Sequence, residues 1–398
     1  MEIEILHEHQ LLHWCERIDI PPEAVAALVD IARAVTADPI LLQIFSAFYE
    51  KTSLRGEWQR DWADLPFHPY VLQQLQQRAS LFYLLAYLAA LPGLEQLYLR
   101  RAIPMSIFKD TLSDFSIWME QYYLAHGHWG FSQFMWIWRH LVGELFCLGR
   151  LQYMLAPFRG GVTAFRSKAD GQVLLLADPQ LPLRADGFAL AAGLPEGQHS
   201  EAVLAGTPVW LPVFQADASG WRGHPVSPYG FALKSETFLP ASQWDLILQH
   251  GDTVLDIHIP RPGAFNLAVC RDSLQQALPF FAGQVLASPI RALFCHTWFF
   301  TPQLQQMLPP ESSIVRFQRE FYLYPYPGSP SFLWSFVFGD AVRDPRTAPR
   351  DTSLRRAVLD WLNHGGELFE LAGVMFHSPQ DWGSQVYMRS WDARPQKD

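Results

Sequence analysis

Two polar side chains interrupt an otherwise apolar run, TVLDIHIP. If this run is a β-strand, alternation places its apolar residues on one face and Asp256 and His258 on the other. An unpaired buried polar group costs about 1–3 kcal/mol, so both side chains should be hydrogen-bonded or open to a cleft. Because an imidazole titrates near neutral pH, His258 beside Asp256 could act as a general base. The alternative is a core histidine that bonds a backbone carbonyl.

A second reactive pair, Cys295 and His296, occurs in the run ALFCHTWFF. A thiolate activated by a histidine is a nucleophile, and an acyl group could pass through it. Neighbouring residues of a strand point to opposite faces, however, so Cys295 would need His258 from the adjacent strand. The alternative for Cys295 is a buried thiol that packs as a small apolar side chain.

Further polar residues lie within strongly apolar helical runs of the first part of the sequence. We expect them to form a hydrogen-bonded network between helices, and a role in a substrate pocket stays open. They are Asp110, Asp114, Arg139, His140, Glu144 and Arg150. His9 and His13 have the i, i+4 spacing of a metal-binding pair, but no HExxH motif is present and we predict no metal site.

The elements that position these residues change in character near residue 155. Before it, apolar residues recur at helical spacing, and we predict an all-helical domain over residues 1–155, with its last helix at FSQFMWIWRHLVGELFCLGRLQYML. After it, glycine, proline and β-branched residues become frequent and short alternating runs predict a mixed α/β domain over residues 156–398. In that domain we expect strands at GVTAFRS, QVLLLA and AVLAGTPVWLPVF. They are followed by the strand TVLDIHIP, a helix, the strand RALFCHTWFF, a short helix, strands at SIVRFQREFYLYP and SFLWSFVFG, and a final helix at DTSLRRAVLDWLNHGGEL. The fold class is therefore predicted to be α+β.

The composition excludes several classes of protein. Lys and Arg number 30 against 39 Asp and Glu, and the net charge of −9 lacks the basic field that nucleic-acid binding requires. The acidic start MEIEILHEHQ does not resemble a secretory signal, and LFYLLAYLAAL is shorter than the roughly 20 residues of a membrane span. Four cysteines without a CxxC pair indicate a reducing compartment, so we expect a cytoplasmic location. No GxxxxGK[ST], GxSxG or GxGxxG motif is present.

Several runs together resemble a known family. LDIHIP, CRDSL, FCHTWFFTPQL and LPPESSIVRFQREF resemble the GNAT-like C-terminal domain of a family of bacterial acyltransferases. IPMSIFKDTLSDFSIWM and HLVGELFCLGRLQYML resemble the helical N-acyltransferase N-terminal domain that precedes it in those proteins. The resemblance covers nearly the whole chain and is weakest before Pro21 and over about residues 160–250.

This resemblance implies an acyl-CoA co-substrate, either acetyl-CoA or a longer thioester, and no covalently bound cofactor. GNAT enzymes bind acyl-CoA where two parallel strands splay apart, and loop amides at a helix N-terminus hold the pyrophosphate. The matching residues here are Ile259, Arg261, Gly263, Ala264 and Asn266. Pro260 and Pro262 depart from the family pattern, because each removes an N–H donor.

The expected activity is transfer of an acyl group from a CoA thioester to a small-molecule amine. His258 would take the proton of the amine, directly or through water, and Asp256 would be the second catalytic residue on the same strand. By analogy with several GNAT enzymes, a tyrosine among Tyr322, Tyr324 and Tyr326 could protonate the leaving thiolate, but no motif selects one of them, and the alternative is that they pack as core aromatics. The alternative function is a GNAT-derived module that binds a ligand without catalysis.

Overall fold

The computed structural model describes residues 3–54, 65–190, 208–261, 263–283, 288–328, 331–339, 342 and 344–393. The chain divides into two compact units. The first contains Met1–Gln152 and Pro260–Gly263, and the second contains Tyr153–Ile259 and Ala264–Asp398. The sequence prediction divided the chain once, at residue 155, and did not include a second segment of the first unit at residues 260–263.

Helices dominate the first unit, as the apolar spacing predicts. Prolines occupy the first turn of several of them, where the missing N–H costs no hydrogen bond. The Asp38 side chain caps one helix by accepting from the amides of Ile40 and Leu41. The helices are α1 (Glu8–Arg17), α2 (Pro22–Ala37), α3 (Pro39–Tyr49), α4 (His68–Leu75), α5 (Ala79–Leu88), α6 (Leu91–Arg100), α7 (Met105–Leu112), α8 (Asp114–His126) and α9 (Phe134–Leu141).

The most apolar helix, α5, is the core of this unit. All ten of its residues are buried, which confirms the buried helix predicted from LFYLLAYLAAL. By length and composition alone, the continuous helical stretch His68–Arg100 could cross a membrane, but 61% of its most apolar window is buried within the protein. The core helix of a soluble protein passes the same test, so this stretch is weak evidence for a membrane span.

The helix predicted through FSQFMWIWRHLVGELFCLGRLQYML is wrong in its second half. After α9 the chain forms two strands, β1 (Leu145–Leu148) and β2 (Leu151–Pro157). Gly143 and Gly149 both have positive φ angles, which end the helix and allow the turn between the strands. All four residues of β1 are buried, so the run shows no alternation that would distinguish a strand from a buried helix.

The described residues between 160 and 250 form small antiparallel sheets, with strand orders β11-β3-β4-β9, β10-β8-β7 and β5-β6. The strands predicted at GVTAFRS and QVLLLA are confirmed as β3 and β4, whereas residues 201–207 of the predicted strand AVLAGTPVWLPVF lie outside the described residues. The strands are β3 (Val162–Ser167), β4 (Val173–Ala177), β5 (Leu183–Arg184), β6 (Val209–Trp210), β7 (Phe214–Asp217), β8 (Gly220–Gly223), β9 (Pro225–Val226), β10 (Thr237–Pro240) and β11 (Trp244–Leu248).

The main sheet contains the strands that carry the candidate residues. Its order is β1-β2-β12-β13-β15-β14, with β12 spanning Thr253–His258 and β13 spanning Ala292–His296. These two neighbours are parallel, and the helix α10 (Leu267–Ala282) makes the connection between them that parallel strands require. The remaining strands, β14 (Tyr322–Pro325) and β15 (Leu371–Met375), add antiparallel pairs at the far edge.

Beyond β13, one predicted strand is wrong, another is wrong in its first half, and one strand was not predicted. The expected strand SIVRFQREFYLYP is a short helix followed by β14, SFLWSFVFG is a helix, and β15 has no predicted counterpart. These runs are short and apolar, and periodicity alone does not separate buried strands from buried helices in such runs. The helix predicted at DTSLRRAVLDWLNHGGEL is confirmed, and Thr352 caps it. The helices are α11 (Leu304–Met307), α12 (Ser313–Gln318), α13 (Ser331–Phe338), α14 (Ser353–Asn363) and α15 (Val386–Asp392). The α+β class is confirmed.

Candidate active site

The register of the parallel pair decides which side chains share a face of the sheet. β12 and β13 pair from Val254 opposite Ala292 to Ile257 opposite Cys295. Cross-strand partners point to the same side, so Asp256 shares its face with its partner Phe294. His258 and His296 follow by alternation on that same face, at the C-terminal ends of the two strands.

Cys295 lies on the opposite face from these polar residues. It pairs with Ile257, its side chain is fully buried, and desolvation raises its pKa well above the ordinary value. A thiol in such surroundings stays protonated and is a poor nucleophile. The structure therefore does not bring Cys295 together with His258, and we do not include it in the proposed machinery.

Asp256 and His258 form the first histidine–carboxylate pair of the site. His258 Nε2 lies 3.4 Å from Asp256 Oδ2, and the side chains are 25% and 13% exposed, respectively. The other carboxylate oxygen, Oδ1, is buried without a hydrogen-bond partner in the described part of the chain. A carboxylate in this position can orient an imidazole and stabilise its protonated form.

A second histidine–carboxylate pair lies on the same face and was not predicted. The carboxylate of Glu370 contacts Nε2 of His296, and Glu370 is 4% exposed. The geometry follows from the register: His296 is opposite Ala372 on β15, and Glu370 lies two residues before Ala372 on the same side. The signal for Glu370 was hidden because β15, the strand that follows it, was not recognised in the sequence.

The register places all three tyrosines proposed as proton donors on this face of the sheet, but their hydroxyl groups differ in their surroundings. The hydroxyl of Tyr322 donates to the carbonyl of Val226 at 2.6 Å and so has a structural role. Tyr324 is fully buried, and its hydroxyl has no hydrogen-bond partner among the described residues. The ring of Tyr326 lies 4.4 Å from that of His296. Desolvation and the nearby carboxylates of Glu370 and Asp256 raise the pKa of Tyr326.

The loop between β12 and α10 is the predicted phosphate-binding segment. Asn266 caps α10, and its Oδ1 accepts hydrogen bonds from the amides of Ala268 and Val269 at 2.9 and 3.1 Å. These two amides are therefore already paired within the helix cap. Ile259 follows His258 directly, and Ala264 is exposed ahead of the cap.

The middle of this loop contains the other two predicted residues. Gly263 adopts a φ of +100°, a conformation that favours glycine. The guanidinium of Arg261 donates to Gln121 Oε1 at 2.9 Å within the first unit. Pro262 lies outside the described residues. Phosphate binding by Ile259, Arg261, Gly263, Ala264 and Asn266 stays a prediction.

Two family models match the chain almost end to end. The GNAT-like C-terminal domain matches residues 145–375, and the N-acyltransferase N-terminal domain matches residues 9–143. This chain belongs to the family of the GNAT-like C-terminal domain. The GNAT-like resemblance derived from LDIHIP, FCHTWFF and the neighbouring runs is thereby confirmed. In this GNAT-like protein, both histidine–carboxylate pairs lie within the matched residues.

Solved acyltransferase structures share the fold. One, an acyltransferase in complex with decanoyl-CoA, has a TM-score of 0.60 at 18% identity and covers 93% of this chain and 88% of its own. A second, in complex with decanoyl-CoA and teicoplanin, has a TM-score of 0.59 at 19% identity over 92% and 87% of the two chains. A mutant acyltransferase in complex with octanoyl-CoA has a TM-score of 0.59 at 18% identity over 93% and 88%. No curated protein matches the sequence.

Proposed function

We propose that this protein is an acyl-CoA-dependent N-acyltransferase, which moves an acyl group from a CoA thioester to an amine. The observation that carries the proposal is the polar face at the C-terminal ends of the parallel strands β12 and β13, where Asp256, His258 and His296 lie together. Membership of the GNAT-like family supports the same reaction class. The similar solved structures, whose titles name acyl-CoA ligands, also support it.

In the proposed reaction, His258 accepts the proton of the attacking amine. The amine nitrogen forms a bond to the thioester carbonyl carbon, and the carbon–sulfur bond then breaks. Asp256 stabilises the imidazolium of His258 while the proton resides there. The CoA thiolate leaves with one proton, which balances the proton taken from the amine.

Tyr326 is the proposed donor of the thiolate proton. Because desolvation and neighbouring carboxylates raise its pKa, its hydroxyl is protonated at neutral pH and able to donate. The resulting phenolate is restored by the proton that His258 took from the amine. Tyr322 does not compete for this role, because its hydroxyl is committed to Val226.

We propose that the CoA pyrophosphate binds the loop containing Ile259, Arg261, Gly263, Ala264 and Asn266. The amides of Ala268 and Val269 already serve the Asn266 cap. The phosphate contacts are therefore expected from amides that precede these two in the chain, with Arg261 as the nearby cation.

Medium-chain thioesters are the first donors to test, because two of the similar structures contain octanoyl-CoA and decanoyl-CoA. The acceptor class is an amine, and the teicoplanin complex indicates that a large acceptor is compatible with this fold. We also propose a cytoplasmic location, in keeping with the four cysteines, which are all buried thiols.

The proposal is tested by calorimetric titration with acetyl-, octanoyl- and decanoyl-CoA, followed by a thiol-release assay over a panel of amines. We expect at least one thioester to bind and CoA to be released only when an amine is present. Absence of binding by all three thioesters would overturn the proposal. Binding without transfer to any amine would favour the GNAT-derived ligand-binding module.

A further inference from the structure

The pair formed by His296 and Glu370 has no part in the reaction as described above, although it shares the sheet face with Asp256 and His258. Both histidines end adjacent parallel strands, and each contacts a carboxylate. A single-base mechanism leaves the second pair without a role. A histidine–carboxylate contact of this kind contributes little to stability once desolvation of the carboxylate is counted, so stability alone is a weak reason for it.

The surroundings of His296 fix its orientation. Its ring stacks on Phe332 of α13, with 5.4 Å between centroids and 7° between planes, and it packs against Tyr326. Glu370 reaches Nε2, and Gly328 makes room for this carboxylate, because a Cβ at Gly328 would lie 2.1 Å from Glu370 Oε2. A carboxylate at one ring nitrogen selects the tautomer and directs proton exchange to the other nitrogen, Nδ1. The His296 side chain is 28% exposed, so a proton can leave to solvent.

The proposed reaction requires two protons to leave the acceptor. An alkylamine is an ammonium ion at neutral pH, since its pKa is close to the value of about 10.4 for a lysine side chain. One proton must leave before the nitrogen lone pair can attack, and a second leaves when the amide forms. The thiolate takes up only one of them, so the other leaves to solvent, and a second base at the site would give it a route.

We propose that His296, held by Glu370, is this second base and that the acceptor enters the site as an ammonium ion. The inference rests on the proposed N-acyltransferase function. An N–H bond of the ammonium breaks, and its proton passes to His296 Nδ1 and then to solvent. The neutral amine next attacks the thioester, and His258 takes the second proton as described above.

The charges facing His296 favour a cationic acceptor. Glu370 precedes β15, Asp256 and His258 lie on β12, and Tyr324 and Tyr326 belong to the segment of β14. Two carboxylates on one face attract a cation and stabilise the imidazolium that forms. Arg159 is a cation near this face; it is exposed and lowers the pKa of Tyr326, although the other causes outweigh it.

The experiment compares acceptors of matched shape and different charge. Methylamine is paired with hydroxylamine, and pentylamine with O-butylhydroxylamine; the first of each pair is an ammonium at neutral pH and the second is uncharged. The variants are His296→Gln and Glu370→Gln. The control is His364→Gln, whose exposed side chain follows α14 and bonds the carbonyl of Asp360. Acyl-CoA affinity and thermal unfolding are measured for every variant.

We expect His296→Gln to lower kcat/KM for the alkylamines by about 10²–10⁴-fold at neutral pH. Glu370→Gln should cause a smaller loss in the same direction. Both variants should stay within a few-fold of wild type for the uncharged acceptors, and their deficit with alkylamines should shrink as the pH rises. A structural role would lower transfer to both members of a pair equally and without pH rescue.

Three results would overturn the inference: an equal loss for charged and uncharged acceptors, no loss for either variant, or a deficit that does not change with pH. Failure of the proposed function looks different. In that case the wild type itself releases no CoA with any acceptor, and the inference falls with the function on which it rests.

Discussion

His258 Nε2 lies 3.4 Å from Asp256 Oδ2, and both side chains stand on the face of β12 that Cys295 does not share. We predict that His258→Gln lowers kcat by about 10²–10⁴-fold, as expected for loss of a general base. Acyl-CoA affinity should stay within a few-fold of wild type, because His258 is not assigned a contact with the pyrophosphate. Stopped-flow thiol release measures the first quantity and calorimetry the second.

The matched control for this prediction is His250→Gln, an exposed histidine in the turn before β12. Its activity should equal that of the wild type. If His258→Gln retains full activity with every acceptor, His258 is not the base, although the acyltransferase assignment itself would stand.

Cys295 provides a prediction of retained activity. Because its thiol is fully buried on the opposite face of the sheet, Cys295→Ala should keep kcat within a few-fold of wild type. The variant should lose stability through the cavity that it leaves, by about 1 kcal/mol. Urea unfolding measures the stability, and intact-mass spectrometry after exposure to acyl-CoA should detect no covalent adduct. An acyl adduct that disappears in Cys295→Ala would restore the thiol route.

Two tyrosines of the β14 segment should separate catalysis from stability. Tyr326→Phe removes the proposed proton donor and should lower kcat by about 10²-fold without weakening acyl-CoA binding. Tyr322→Phe removes a buried hydrogen bond to Val226 and should cost about 1–3 kcal/mol of unfolding free energy while leaving kcat unchanged.

The raised pKa of Tyr326 also predicts how kcat should depend on pH. Because the pKa of Tyr326 is raised, its hydroxyl is the protonated donor throughout neutral pH and up to at least its ordinary value of about 10. Deprotonation of Tyr326 should therefore not lower the kcat of the wild type at any pH below about 10. If the wild type and Tyr326→Phe are compared, no fall in kcat below that pH should be present in the first and absent from the second. A decline of this kind between pH 7 and 9 would contradict the assignment.

How far the sequence could predict the site depends on the alternation of each strand. Asp256 and His258 were recognisable because they alternate with apolar residues on β12. Glu370 was not, because the five residues of β15 that follow it are all buried and apolar. Without β15 there is no register to place Glu370 beside His296, since that pairing joins residues far apart in the sequence.

The same reasoning explains Cys295. Alternation along β13 shows that Cys295 points to the other face of the sheet from His296. Only the register with β12 shows that it also points away from the face of His258. Register depends on contacts between distant segments, and a shift of one residue would place Cys295 on the polar face. The helix α10 was predicted from sequence, whereas Asn266, which was predicted to bind the cofactor, is the residue that caps it.

The polar network of the first unit gives a prediction of acid sensitivity. His140 Nε2 lies 3.0 Å and Trp136 Nε1 2.6 Å from Asp114 Oδ2, and Asp114 and His140 are buried. Burial alone would raise the pKa of Asp114, but these hydrogen bonds outweigh it and the pKa lies below its ordinary value. Asp114 and His140, which were predicted to belong to an interhelical network, are therefore joined as expected.

A pKa lowered by folding means that the carboxylate stabilises the folded state above its unfolded pKa of about 3.9, and that this contribution is lost as the pH falls further. We predict that Asp114→Ala lowers the unfolding free energy at neutral pH by about 3–5 kcal/mol, because His140 is left buried without its partner. Asp114→Asn keeps the shape of the side chain, so its unfolding free energy at neutral pH should fall by less than that of Asp114→Ala. Its unfolding free energy should also decline less steeply than that of the wild type between pH 5 and 3, as measured by urea titration. Equal acid slopes for the wild type and Asp114→Asn would show that another carboxylate governs acid unfolding.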